Sequence, residues 1–180
     1  RDRRRLMPPD TTPIYLDHAA TTPLCVEARD CLQACLTAPL GNPSSPHGPG
    51  QAAAARIATA AGQLSYVIGA QADEIVWTSG ATEASNLALR GVAAFAERGD
   101  RNRPVRIISC VTEHSATRDT LKVLEQQGVE VVWLDVDTQG RIDLDALEAA
   151  LAQPCDLVSL MHVNNETGLV HDVARIAALC

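Results

Sequence analysis

The stretch VRIISCVTEHSATRDTLKVLEQQGVEVVWLDV, residues 105–136, decides the fold class. It opens with an apolar run typical of a buried strand, residues 105–110, and closes with a second such run, residues 129–136. Between them an amphipathic run, residues 115–127, predicts a helix that ends at Gly128, because glycine is favoured just past a helix end. The stretch therefore predicts strand, helix and strand, the unit from which parallel sheets are built.

The same alternation continues on both sides of this stretch. Further strands are predicted at residues 74–79 and 156–163. A helix is predicted over residues 81–97 from its apolar periodicity. Two more are predicted to begin after Asp143 and after Asp172, because aspartate is a good helix N-cap. In residues 81–97, apolar or small side chains at positions 84, 87, 88, 91, 92 and 95 mark the expected buried face. The alternation predicts an α/β fold, a mainly parallel sheet with flanking helices.

The region before residue 74 has a different character. IYLDHAATTP, residues 14–23, predicts a short strand followed by a turn. Helices are predicted over residues 23–37 and 51–68. Between them, residues 39–50 are rich in proline and glycine, which predicts a long loop with fixed turns rather than a flexible linker.

Charge and composition exclude several classes of protein. The chain has 180 residues and a net charge of −7, and no window approaches the roughly 18 apolar residues of a membrane span. The basic stretch at the start belongs to a predicted flexible terminus, residues 1–13, with the tail of a targeting segment as the alternative. The remaining chain is therefore more acidic still. An acidic body argues against nucleic-acid or membrane partners.

The six cysteines form no CxxC pair, a pattern that suits a reducing compartment better than a disulfide framework. We interpret them as structural residues. Cys31 and Cys35 have a spacing that can hold a metal on a helix, but no Cys or His pair lies nearby. The sequence therefore predicts no metal site.

Polar residues follow three of the predicted strands, and ligands in such sheets bind beyond the carboxyl ends of the strands. Gly80, Ala81 and Thr82 open a helix whose free N–H groups suit a phosphate, or simply form a capped helix without a ligand. His114 follows the predicted strand 105–110, where a structural histidine is the alternative. Asn165 follows the predicted strand 156–163, where plain turn chemistry is the alternative. Taken together, the three exits predict a cofactor cleft.

Five motifs in this order and spacing resemble the cysteine desulfurases, pyridoxal-phosphate enzymes of the class V aminotransferase group. They are YLDHAATTP, GNPSSPHGPG, EIVWTSGATEASNLAL, TEHSA and HVNNETG. The resemblance implies that residues 14–180 are the N-terminal part of the large domain of a fold type I pyridoxal-phosphate-dependent transferase. It further implies that Ala81 and Thr82 bind the cofactor phosphate. His114 would stack on the pyridine ring and assist proton transfer, and Asn165 would bind the ring's phenolic oxygen or the substrate carboxylate region.

The resemblance also places essential groups beyond residue 180. Members of the family continue with an Asp for the pyridine nitrogen, a Gln, a Ser-x-His-Lys segment with the Schiff-base lysine, and a mobile cysteine that takes the sulfur. The single lysine here, Lys122, is predicted to point away from the buried face formed by Ala116, Leu121, Val123 and Leu124. This chain alone is therefore expected to be inactive.

The activity implied for the whole protein is removal of sulfur from L-cysteine, giving L-alanine and an enzyme persulfide. The implied partners are a sulfur-acceptor or scaffold protein of iron–sulfur cluster biogenesis and a second copy of the chain, in the cytoplasm or an organelle. Within the group, selenocysteine lyase or another class V activity stays open. Outside it, the alternatives are a non-catalytic binding or assembly fragment and a nucleotide-binding α/β domain that uses the Gly80 turn.

Overall fold

The computed structural model describes residues 13–98 and 102–180. The chain divides into two compact units, with the boundary between Val76 and Trp77. The prediction of a flexible basic terminus over residues 1–13 lies outside the described residues, apart from Pro13.

The first unit is helical in its described part. It contains α1 (Val26–Thr37), α2 (Gly48–Ile68) and a single 3₁₀ turn (Ala72–Glu74). Both predicted helices are confirmed, although α1 begins three residues later than predicted and α2 three residues earlier. The earlier start of α2 follows from His47, whose imidazole Nδ1 accepts a hydrogen bond from the N–H of Gly50 and so caps the helix.

The loop before α2 is held by its own hydrogen bonds, as its composition predicts. Asn42 forms a compact turn in which its side-chain oxygen accepts from the N–H of Ser44 and its carbonyl accepts from the N–H of Ser45. Gly50 packs against this turn so closely that a Cβ there would collide with backbone oxygens of Ser45 and Asn42. The chain therefore requires glycine at this position.

Two predicted strands are wrong. Residues 13–17 form no strand, although the predicted turn follows at residues 18–20. Residues 75–78 are irregular as well, and the side chains of Val76 and Trp77 are exposed. A strand needs a hydrogen-bonded neighbour, and no strand in the described ranges pairs with either segment.

The second unit contains a three-stranded parallel sheet. Its strands are β1 (Arg106–Cys110), β2 (Glu130–Leu134) and β3 (Leu157–Ser159), in the order β2-β1-β3. Ile108 on the central strand lies opposite Val132 on one side and Val158 on the other. The parallel sheet is thus confirmed, although β2 and especially β3 are shorter than predicted.

Four helices flank this sheet: α3 (Ala81–Glu97), α4 (Ser115–Gln126), α5 (Leu144–Leu151) and α6 (Val173–Leu179). The predicted N-caps are confirmed, since Asp143 accepts from the N–H groups of Asp145 and Ala146 and Asp172 accepts from that of Arg175. In the described part of the chain, no helix combines the length and apolarity needed to cross a bilayer.

The sheet is covered on both faces, because successive residues of β1 point to opposite sides. Ile107 belongs to one apolar cluster with residues of α3 and α4, whereas Ile108 and Cys110 belong to a second cluster with residues of α5 and α6. Cys110 is 1% exposed, which fits its interpretation as a structural residue. The result is a three-layer α/β/α arrangement.

The predicted buried face of α3 is wrong. The helix packs through Leu89, Ala93 and Ala96, while Leu87 and Phe95 on the predicted face are 53% and 78% exposed. Apolar residues occur around most of this helix, so periodicity alone did not single out the side that meets α4. The face predicted for α4 is right at Leu121 and Leu124, but Val123 is exposed.

Candidate active site

A cavity of about 440 Å³ lies at the carboxyl ends of β1 and β3. It is lined by residues 111–115, Arg118 and residues 164–167. β1 and β3 are adjacent and parallel, so the segments that leave them meet at one edge of the sheet. The structure therefore brings together two of the predicted site residues, His114 and Asn165.

His114 is the N-cap of α4. Its Nδ1 accepts a hydrogen bond of 3.1 Å from the N–H of Ala116, which fixes the imidazole at the start of the helix. With Nδ1 acting as an acceptor, the neutral ring carries its proton on Nε2. His114 thus has both a structural and a possible chemical role, because the Nε2–H edge is left for a ligand.

Glu113 ties the two strand exits together, and sequence reasoning missed it. It is 6% exposed, and its carboxylate accepts a hydrogen bond from the N–H of Met161, just past β3. Burial raises the pKa of Glu113, against the opposing effect of hydrogen bonds from the N–H groups of Met161 and His114. The only available signal was an acidic residue in the turn that follows a buried strand.

Asn164 builds the turn that presents Asn165. Its Oδ1 accepts from the N–H groups of Glu166 and Thr167, both at 3.0 Å, and its Nδ2 donates to the carbonyl of Thr112. Asn164 is 7% exposed, whereas Asn165 is exposed and donates through Nδ2 to Glu166. Asn164 therefore stabilises the turn, whereas the side chain of Asn165 faces outward.

The predicted phosphate turn lies at the start of α3. Gly80 is the N-cap and supplies no side-chain cap, and a Cβ built there would meet no atom within 4 Å. N–H groups at a helix start without a side-chain cap can bind a phosphate oxygen, so this turn fits the predicted cofactor phosphate. Among the described residues, however, Ala81 and Thr82 are not part of the cavity lining.

A carboxylate stands close to this turn. Glu83 accepts hydrogen bonds of 2.6 Å from both the hydroxyl and the N–H of Ser79. The Ser79 hydroxyl, followed by its N–H, lowers the pKa of Glu83. The carboxylate of Glu83 is therefore bound to Ser79, the residue that precedes Gly80.

Asn86 links the first turn of α3 to α4. Its Nδ2 donates to the carbonyl of Thr82 at 2.9 Å, and its Oδ1 accepts from the hydroxyl of Thr120 at 3.0 Å. Because α4 begins at His114, this pair of bonds couples the turn to the helix that carries the imidazole. No local sequence pattern predicts this link, since Asn86 and Thr120 are 34 positions apart.

Lysine and cysteine are absent from the lining of this cavity, in the part of the chain that the structure describes. Lys122 is exposed on α4, as its helical position predicts. No group of three or more His, Cys, Asp or Glu side chains within residues 13–98 and 102–180 is arranged to hold a metal ion. The cavity thus offers an imidazole, amides and a guanidinium.

Comparison with known proteins adds the family. The aminotransferase class-V family matches residues 14–180. The chain belongs to the class-V aminotransferase family. Class-V aminotransferases and cysteine desulfurases depend on pyridoxal phosphate, and the predicted fold class is that of this family.

Similar proteins include cysteine desulfurases from two bacteria. The chain is 47% identical to cysteine desulfurase IscS of Proteus mirabilis and 43% identical to that of Shewanella sediminis, each over 171 residues. Each match covers 93% of this chain and 41% of the relative. The chain therefore spans less than half of these relatives.

Solved structures give the same result. A NifS-like protein matches with a TM-score of 0.85 at 32% identity, covering 93% of this chain and 45% of its own. SspA in complex with cysteine matches with a TM-score of 0.82 at 29% identity, covering 92% of this chain and 46% of its own.

Proposed function

We propose that this chain is part of a pyridoxal-phosphate-dependent cysteine desulfurase, which removes sulfur from L-cysteine to give L-alanine and an enzyme-bound persulfide. The observation that carries the proposal is the meeting of His114 and Asn165 in one cavity at the exits of β1 and β3. The similarity to cysteine desulfurases supports the choice of reaction, and the structure of SspA with cysteine shows that amino acid bound to a structural neighbour.

The roles of the residues follow from the hydrogen bonds they leave open. Ala81 and Thr82 would bind the cofactor phosphate through the uncapped N–H groups of α3. His114 would lie against the cofactor ring and hold a proton at Nε2, because Nδ1 is committed to Ala116. Asn165 donates to Glu166, and an amide nitrogen has a second N–H that remains for a ligand oxygen.

Bound pyridoxal phosphate supplies the electron sink that weakens bonds at the substrate amino acid. The chain's own contribution is to bind, orient and move a proton at His114. The lysine and the thiol nucleophile that the reaction needs are assigned to the rest of the protein, since neither residue type lines the described cavity.

The remaining proposals concern partners and location. We assign the whole protein a sulfur-acceptor or scaffold partner in iron–sulfur cluster assembly and a homodimeric state, on the basis of its similarity to IscS. A cytoplasmic location is supported by the cysteines of the described chain, which are free and include exposed Cys25, Cys31 and Cys180.

The test uses the full-length protein that contains this chain. We expect a visible absorption band from bound pyridoxal phosphate, and release of sulfide and alanine from L-cysteine in the presence of a thiol reductant. Release of selenide from selenocysteine without sulfide from cysteine would instead establish a selenocysteine lyase. Absence of both products and of the cofactor band would establish a non-catalytic protein, and tight nucleotide binding without the cofactor band would establish a nucleotide-binding domain.

A further inference from the structure

Asn86 lies inside α3, and both polar atoms of its side chain have partners. Nδ2 donates to the carbonyl of Thr82 at 2.9 Å, whereas Oδ1 accepts from Nε of Arg90 at 3.2 Å and lies 3.0 Å from the hydroxyl of Thr120. The carbonyl of Thr82 can only accept, so the amide nitrogen must face it. Asparagine is unfavourable in a helix interior, and here its side chain is directed to the first turn of α3 and to a neighbouring helix.

The hydrogen bonds continue from Thr120 to the imidazole of His114. The hydroxyl of Thr120, which is 6% exposed, lies 2.8 Å from the carbonyl of Ala116, so its single proton is shared between Asn86 and Ala116. The N–H of Ala116 in turn donates to Nδ1 of His114. A continuous path of hydrogen bonds therefore runs from Thr82, in the predicted phosphate turn, to His114.

The contact between Asn86 and Thr120 is the step of this path that crosses from α3 to α4. Leu89 of α3 also packs in one apolar cluster with Leu121 and Leu124 of α4. Apolar burial holds two helices together without a preferred direction, whereas a hydrogen bond depends steeply on distance and angle. The polar pair thus fixes the start of α3 relative to the start of α4 more sharply than the apolar contacts do.

We propose that Asn86 and Thr120 are positioning residues for the cofactor. They hold the phosphate-binding turn at Ala81 and Thr82 in a fixed relation to His114, so that one rigid unit binds both the phosphate and the ring. This inference rests on the proposed function, which places the cofactor phosphate on that turn.

The experiment titrates the cofactor-free, full-length protein with pyridoxal phosphate and with pyridoxal, which lacks the phosphate. The ratio of the dissociation constant of pyridoxal to that of pyridoxal phosphate reports the contribution of the phosphate, and a general loss of fold leaves this ratio unchanged. We expect Asn86→Ala to lower the ratio about fivefold, the equivalent of one net hydrogen bond. Asn86→Asp should lower it as well, because a carboxylate cannot donate to the carbonyl of Thr82.

Two variants of Thr120 test the step between the helices. Thr120→Val removes the hydroxyl at nearly constant shape and should lower the ratio, whereas Thr120→Ser keeps the hydroxyl and should retain it. Combining Thr120→Val with Asn86→Ala should lower the ratio no further than Asn86→Ala alone, because both changes break one path. Thr59→Val is the matched control, since the hydroxyl of Thr59 bonds to a carbonyl four residues earlier in α2, and it should keep the wild-type ratio.

Three outcomes would overturn the inference. The first is a wild-type ratio in Asn86→Ala. The second is an equal loss of affinity for pyridoxal and pyridoxal phosphate in that variant, which would reduce Asn86 to a residue that stabilises the fold. The third is a lowered ratio in Asn86→Ala but not in Thr120→Val, which would mean that the turn is held without α4.

Sulfide release from L-cysteine is measured in parallel with these titrations. A wild-type protein that binds pyridoxal phosphate but releases no sulfide contradicts the proposed reaction, whereas the ratios still decide the roles of Asn86 and Thr120. Sulfide release by a wild type whose ratio matches that of Asn86→Ala overturns the inference and leaves the proposed reaction standing.

Discussion

The carboxylate of Glu113 accepts a hydrogen bond from the backbone N–H of Met161, although the two residues are 48 positions apart. Glu113 lies in the turn after β1, and Met161 lies two residues past β3. This bond joins the two segments that carry His114 and Asn165. A buried carboxylate thus sets the geometry of the cavity without being one of the predicted ligands.

Replacing Glu113 is expected to destabilise the full-length protein. Glu113→Ala leaves the N–H of Met161 without its acceptor, at a cost of about 1–3 kcal/mol in the free energy of unfolding. Glu113→Gln keeps an acceptor oxygen and should cost less. Urea unfolding measures both variants, and equal losses would show that the hydrogen bond contributes little.

The stability difference between the wild type and Glu113→Gln is expected to depend on pH. The pKa of Glu113 is raised in the folded state above its ordinary value of 4.5, so this group stabilises the fold as the pH falls through the raised pKa towards 4.5. This contribution of Glu113 to the free energy of unfolding is lost as the pH rises through the raised pKa. Glu113→Gln should remove this component, which is visible as a difference in the slope of unfolding free energy against pH.

Much of the fold was predictable because its signals are local. The strand–helix–strand stretch at residues 105–136 and the caps at Asp143 and Asp172 depend on neighbouring residues, and all were predicted correctly. The strand predicted at residues 74–79 was wrong, because strand formation depends on a pairing partner that composition does not reveal.

The site was predictable only in outline. Parallel strands place their exits at one edge, which was enough to bring His114 and Asn165 together. Asn164 was expected only as turn chemistry, and its bond to Thr112, 52 positions away, was not predicted. Glu113 was missed because it bonds to a group 48 positions away. Arg118 is marked only by a buried nitrogen that has no partner in the described chain. Contacts of that kind leave no periodic trace in a sequence.

Asn164 and Asn165 are expected to respond differently to the same substitution. Asn164→Ala removes a buried acceptor of two backbone N–H groups and should lower the free energy of unfolding by about 1–3 kcal/mol. Asn165→Ala should leave stability within about 0.5 kcal/mol, since the side chain is exposed, but alter the cofactor absorption band. Equal destabilisation by the two changes would contradict this division.

The two roles of His114 can be separated by a pair of variants. His114→Ala removes both the helix cap and the ring, so we expect a loss of about 0.5–2 kcal/mol in stability together with a shifted cofactor spectrum. His114→Asn restores a good capping side chain and should recover stability but not the spectrum or the turnover rate. A wild-type spectrum and rate in both variants would reduce His114 to a structural cap.

Acidification is expected to weaken the segment that carries Asn165, which an antiparallel bridge between Val163 and Val170 closes. His171 is 8% exposed, bonds through its N–H to the carbonyl of His162, and has a buried Nε2 without a partner in the described chain. Burial, and then repulsion from His162, lowers the pKa of His171 from its ordinary 6.5. The unfolded chain therefore takes up a proton first, and this contribution to stability falls as the pH drops from 6.5 to the lowered pKa.

His171→Gln should flatten this fall, because glutamine does not titrate. The measurement is the free energy of unfolding from pH 8 to pH 5. Parallel curves for wild type and His171→Gln would show that protonation of His171 is not coupled to folding.

Two glycines of α2 should respond in opposite ways to alanine. A Cβ at Gly50 would strike the backbone oxygens of Ser45 and Asn42, and backbone yields less readily than a side chain. Gly50→Ala is therefore expected to destabilise the full-length protein by about 1–3 kcal/mol, the usual cost of overpacking. Gly62 lies in the same helix with no atom within 4 Å of its would-be Cβ, so Gly62→Ala should stabilise by about 0.5–1 kcal/mol through helix propensity. Thermal unfolding of both variants tests the contrast, and a loss of stability at Gly62 would reveal a neighbour packed against that side of α2.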